Sequence, residues 1–83
     1  MKEEQNMTNS KVNKELVTKR ELGWRIYHAI ARSGWPREEI AARLNVSLRT
    51  INYWQSGEKL PGVSKTVELA RLLNISLDSL LLD

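Results

Sequence analysis

Asn45-Val46-Ser47-Leu48-Arg49-Thr50-Ile51-Asn52-Tyr53-Trp54-Gln55-Ser56-Gly57 reads as one short helix with both ends marked. Ser47 suits the N-cap, because its hydroxyl accepts a bond from an orphan backbone N–H one turn in. Gly57 suits the C-terminal stop, because a left-handed residue costs glycine little. Between the caps, Thr50, Ile51 and Trp54 recur at helical spacing and face inward. Leu48, Arg49, Asn52, Tyr53 and Ser56 fall on the other side. An ordinary solvated face favours Lys and Glu. This one offers an arginine, an amide, a phenol and an exposed leucine, groups that suit base edges in a major groove. Taken alone, the segment fits a plain surface helix equally well.

The segment before it shifts the balance. Pro36-Arg37-Glu38-Glu39-Ile40-Ala41-Ala42-Arg43-Leu44 reads as a second short helix, with Ile40, Ala41 and Leu44 as core positions. Only Asn45-Val46 separates the two. Two short helices joined by a tight turn form a helix-turn-helix, whose second helix can enter a groove.

The whole chain has 83 residues, enough for one small domain, and 41% of them are hydrophobic. Cysteine is absent, which excludes a disulfide framework and thiolate metal sites. The single histidine, His28, has no second imidazole or thiol for a metal, so no metal or other cofactor is expected. No run of about 18 apolar residues exists to span a membrane. Residues 1–6 are too polar for a signal peptide, and a cytoplasmic location is expected. The net charge is +3, which mildly favours a polyanionic partner. Its distribution is more informative. Residues 1–59 carry eleven basic against seven acidic side chains, and the remainder carries two against three.

Outward from the central pair, residues 1–17 read as a flexible polar and basic arm; Lys11, Lys14, Lys19 and Arg20 are basic and able to follow phosphates, while residues 1–12 fit a plain solvated tail as well. Asn13 to Val17 offer a weak helical start through Val12 and Leu16. The domain proper spans 18–83. Thr18-Lys19-Arg20-Glu21 matches a capping box, and Leu22, Ile26, Ala29 and Ile30 form an apolar stripe ending at Ser33-Gly34. Gly23 inside this helix implies close packing, since glycine there costs about 1 kcal/mol against alanine. Trp24 and Trp35 read as packing residues. Pro36 fits the first turn of the second helix. Glu58 to Gly62 form a loop by composition. Val63, Val67, Leu69, Ala70, Leu72 and Leu73 support a fourth helix, stopped by Asn74. Ser76 caps a last helix over 77–82. No strand pattern and no internal repeat is evident. The fold class is all-α, a compact bundle of about five short helices.

In this order and spacing, several pieces resemble the Cro/repressor, or Xre, family of lambda-repressor-like helix-turn-helix domains. They are Leu22-Gly23-Trp24-Arg25-Ile26, Arg37-Glu38-Glu39-Ile40-Ala41, Val46-Ser47, Thr50 to Gly57, Pro61, and Leu69-Ala70 with Leu73 to Leu81. The resemblance implies that Leu48, Arg49 and Tyr53 reach base edges, with Asn52 a neighbouring polar contact. Tyr53 fits a phosphate equally well. It also implies that Arg37, Ser47 and Lys59 hold phosphates. Four departures stand out. Arg37 replaces a common Gln that bridges a phosphate and the third helix; a donor is kept and an acceptor lost. Pro36 replaces a Ser cap. Asn45 replaces a Gly, and asparagine tolerates positive φ. Leu48 donates no hydrogen bond, so it reads only methyl groups.

These features point to a sequence-specific binder of double-stranded DNA, a repressor-like transcription regulator. One such domain buries little surface, so a homodimer on two half-sites is expected. Leu77, Leu80, Leu81 and Leu82 fit a dimer seam or, equally, the closure of a small core. A protein-interaction module of the same fold, of the antitoxin or antirepressor kind, is the competing reading. An enzyme is not expected, because no carboxylate pair or Cys/His constellation sits in a plausible pocket. No small-molecule ligand is evident. RNA binding lacks the stacking aromatics of an open sheet.

Overall fold

Thr18 begins the ordered helical part. Its hydroxyl accepts from the Glu21 N–H at 3.1 Å and starts α1, Lys19–Ser33. Only half of the capping box forms, because the Glu21 carboxylate turns instead to Arg25 at 3.0 Å. Four more helices follow: α2 Arg37–Leu44, α3 Leu48–Ser56, α4 Val63–Leu73 and α5 Leu77–Leu81. The computed structural model describes residues 15–82. Lys11, Val12 and Lys14 of the basic arm, and Asp83, lie outside the described residues. Pro36 is the N-cap of α2 rather than its first helical residue and makes no side-chain cap bond.

Each helix contributes one side chain that is essentially sealed from solvent: Ile26, Ile40, Ile51, Leu69 and Leu80. Full burial of such a side chain is worth about 1.5–3 kcal/mol. Trp54, at 4% exposure, completes the core from α3. α1 packs along α3, α2 rests on α3 and α4, and α5 fills the angle between α1 and α4. Leu80 is therefore committed to the core of its own chain and is not available to a dimer seam. Leu77 is exposed, while Leu81 and Leu82 are half-buried.

Further differences from the sequence expectations lie at the two ends of the domain and on its surface. Residues 15–17 are not helical. Leu16 pairs with Leu82 in an antiparallel bridge, and the Val17 N–H donates to the Leu81 carbonyl at 2.9 Å. Leu16 and Val17 thus join the domain rather than the arm. Val63 opens α4 pointing outward at 84% exposure. Trp24 is 58% exposed and meets His28 edge-on, with ring centroids 4.1 Å apart. Arg25 crosses from α1 to the end of α5, donating to the carbonyls of Ser79 at 3.1 Å and Leu82 at 2.6 Å. These carbonyls lack partners within their own helix end.

The corner between α2 and α3 occurs twice. Ala41 to Leu48 and Ala70 to Leu77 share the pattern Ala-x-x-Leu-Asn-(Val/Ile)-Ser-Leu. Asn45 and Asn74 both take left-handed φ of 59°. Val46 N–H returns to Ala41 O at 2.9 Å, and Ile75 N–H to Ala70 O at 3.0 Å. Ser47 and Ser76 then each cap the next helix, accepting from Thr50 and Ser79 at 3.1 Å. A local repeat therefore exists, short enough to escape a search for period.

The closest backbone approach lies at Gly23. A β-carbon there would sit 2.7 Å from Gln55 O, 2.8 Å from Gly57 N and 2.9 Å from Trp54 O. These are backbone atoms of the end of α3 and cannot swing aside. Gly23→Ala is expected to lower stability by about 1–3 kcal/mol through overpacking, although alanine gains about 1 kcal/mol in intrinsic helix propensity. Denaturant titration of the variant settles the sign. A gain in stability would show that α1 and α3 do not cross this closely.

Candidate nucleic-acid interface

The outer face of α3 begins at Ser47. Its hydroxyl holds the Thr50 N–H at 3.1 Å and lies 3.0 Å from the Thr50 hydroxyl. This fixes the first turn, and Thr50 is half-buried rather than fully inward. Arg49 and Asn52 are exposed on the next turn. Among the described residues, the Arg49 side chain makes no hydrogen bond or ion pair, so its donors face outward unspent. Leu48 differs from its expected exposure. It is half-buried and leans on the core, leaving only part of its surface for contact.

Two cations flank this face. Arg37, the first residue of α2, donates through Nη1 to Asn52 Oδ1 at 2.8 Å and to Gln55 Oε1 at 3.3 Å. Lys59 comes from the loop after α3. Its Nζ lies 4.7 Å from the centre of the Tyr53 ring, a cation–π placement. The loop folds back because Gly57 is left-handed at φ 82° and the Lys59 N–H reaches Tyr53 O at 3.4 Å. The structure thus gathers Arg37, Asn52, Tyr53 and Lys59 around the face that also presents Arg49. Ser47 stands at the helix start, where unpaired N–H groups and the helix dipole favour an anion.

The part played by Gln55 does not show in residue type alone. Its signal is spacing, since Asn52 and Gln55 lie one turn apart and present two amides to one neighbour. Lys65 is basic but structural. Its Nζ donates to Leu44 O at 2.6 Å, closing the C-terminal end of α2. Arg43 is likewise engaged, paired with Glu39 at 3.0 Å and stacked 4.6 Å from the Trp35 ring centre.

A helix-turn-helix family model matches residues 26–80. Among solved structures, the chain is similar to the SOS-response transcriptional repressor LexA from Eubacterium rectale. The two are 32% identical with a TM-score of 0.70, over 76% of this chain and 67% of that one. A transcriptional regulator from Listeria innocua is 28% identical with a TM-score of 0.67, and 81% of this chain covers 59% of it. The restriction-modification controller protein C.AhdI from Aeromonas hydrophila shares the fold at 18% identity and a TM-score of 0.68. That match covers 75% of this chain and 94% of the controller. No curated protein matches the sequence.

Ser47→Ala removes the cap that anchors the exposed face. The expected cost is about 1 kcal/mol, a fall in melting temperature of roughly 4–8 °C for a domain of this size. Thermal unfolding followed by circular dichroism measures it. An unchanged midpoint would mean that the hydroxyl is not holding the helix start.

Proposed function

The chain belongs to the helix-turn-helix family matched over residues 26–80, and on that premise we propose that it is a transcription regulator binding specific sites in double-stranded DNA. The observation that carries this reading is the setting of α3. Its outer face offers Arg49, Asn52 and Tyr53, and cations from two separate segments, Arg37 and Lys59, stand against it. A solvated helix has no need of two flanking cations drawn from elsewhere in the chain. The named activities of the LexA repressor and the Listeria regulator point the same way.

In this reading α3 lies in the major groove. Arg49 addresses a base edge, with guanine O6 and N7 the natural partners of a guanidinium. The part of Leu48 left exposed meets a methyl group. Tyr53, pinned beneath Lys59, reaches either a base or the adjacent backbone. Arg37 and Lys59 fix register on phosphates, joined by the N-terminal end of α3 at Ser47. Repression follows from occupancy of a promoter.

One domain of this size makes a small interface with DNA. Useful affinity therefore calls for two copies on half-sites about one helical turn apart. The homodimer seam we assign to the exposed apolar rim around α4 and α5. Leu77 and Leu81 line it together with Leu16, Leu60 and Val63. Leu82 stands at its edge, tied to Arg25.

Selection from a random duplex pool tests the reading directly, with a palindromic consensus as the expected result. Retention of all sequences alike would leave a basic surface without readout and favour the protein-interaction reading. Arg49→Ala is expected to cost about 1–3 kcal/mol on the selected site and to relax one base pair. Lys59→Ala is expected to weaken all sequences alike and to reduce the salt slope by about one unit. Binding isotherms at several salt concentrations separate the two effects.

A further inference from the structure

Resting on the DNA-reading assignment above, we propose that Arg37 turns the side-chain amide of Asn52 so that it meets DNA as a hydrogen-bond donor. This position of α3 then selects guanine, whose major-groove edge carries two acceptors, over adenine. The first observation is the 2.8 Å contact between Arg37 Nη1 and Asn52 Oδ1. A guanidinium carries five N–H donors and no acceptor. The amide atom facing it must therefore be the oxygen, and the opposite end of the amide is the NH₂ group. The assignment follows from the chemistry of the pair.

The second observation is Gln55. Its Oε1 lies 3.3 Å from the same Arg37 nitrogen, so two amides one turn apart share one cation. Gln55 is half-buried, and Arg37 and Gln55 border one crevice with Tyr27, Trp35 and Pro36. The guanidinium is held over α3 by two oxygens rather than one. A charge-assisted bond is stronger than a neutral pair, so a base edge does not readily displace it.

A third point concerns the place of Arg37 in α2. It is the first residue of that helix. The macrodipole is positive there, and a cation is disfavoured without partners. Two carbonyl oxygens from α3 supply them.

A free asparagine reads adenine with both ends of its amide, Oδ1 taking the N6 amine and Nδ2 giving to N7. Here Oδ1 is turned to α2. The outward end gives hydrogen bonds and takes none. Guanine presents two adjacent acceptors in the major groove, N7 and O6, whereas adenine presents N7 beside an N6 donor. Arg37 acts on specificity as a positioning residue, and its remaining N–H groups stay available for a phosphate.

The test is duplex selection with four proteins: the natural chain, Asn52→Ala, Arg37→Met and the double variant. Methionine keeps an apolar stem and removes every donor. Both residues are exposed, and circular dichroism confirms that each variant is folded. Asn52→Ala is expected to relax one base pair by roughly fivefold, the low end for a base contact, and that pair is expected to be G·C. Arg37→Met is expected to lower affinity throughout and, at that same position only, to admit A·T. In the Asn52→Ala background, Arg37→Met is expected to change no base preference. Loss of a phosphate contact alone would weaken every site and leave the preference in place. An A·T pair at the Asn52 position in the natural chain overturns the proposal, as does an unchanged preference in Arg37→Met or no relaxed pair in Asn52→Ala. A natural chain that selects no consensus removes the DNA-reading assignment itself, and this proposal falls with it.

Discussion

The structure hangs on the crossing of α1 and α3, where two backbones touch without intervening side chains. Gly23 leaves room for the last carbonyls of α3. Gly57 returns the favour, because a β-carbon on it would lie 2.9 Å from Lys19 O. Gly57 also carries the positive φ that ends α3. One pair of glycines therefore sets the depth at which the outer helix sits and the direction in which the following loop leaves. From that loop comes Lys59. From the other side α2 brings Arg37. The exposed face of α3 is thus flanked by charge from two sides, while its inner face is pressed closely to α1.

Charges elsewhere in the domain follow the helix dipoles. Glu38 and Glu39 occupy the first turn of α2, and Arg43 its last. Lys65 reaches across from α4 to cover Leu44 O, and Arg25 covers the end of α5. Lys65 and Arg25 are consumed by carbonyls, and Arg43 by the Glu39 carboxylate. Arg37 departs from the pattern, standing at the positive end of its helix. Arg49 has spent nothing at all among the described residues. Arg37 and Arg49 both stand in the first turn of their helices, and both border the outer face of α3.

Much of this was legible before any coordinates. The caps at Thr18, Ser47 and Ser76, and the stops at Gly34, Asn45, Gly57 and Asn74, are local signals, and each helix lies where they mark it. Gly23 announced a close approach because nothing else justifies glycine in the middle of a helix. Trp54 read as core from its spacing to Ile51. What stayed hidden depends on partners far along the chain. Leu16 and Val17 look like the end of an arm until Leu81 and Leu82 arrive beside them. Leu48 looks exposed on a helical wheel, yet the neighbouring core covers part of it. Val63 has the residue type of a core position and the location of a helix start. The Arg37 bond to Asn52 and Gln55 joins residues on different helices, and only the fold brings them together. Leu80 could not be sorted between core and seam because a short apolar helix looks the same in either role.

The repeated corner separates scaffold from message. Both copies bend the chain through the same left-handed asparagine and cap the outgoing helix with the same serine. The two residues that follow are Leu48-Arg49 in one copy and Leu77-Asp78 in the other. One outgoing helix leads with a cation and the other with a carboxylate, on geometry that is otherwise alike. The corner is thus a neutral socket. The position just after the cap carries opposite charge in the two helices plugged into it, so one chain shows the same corner serving two unlike surfaces.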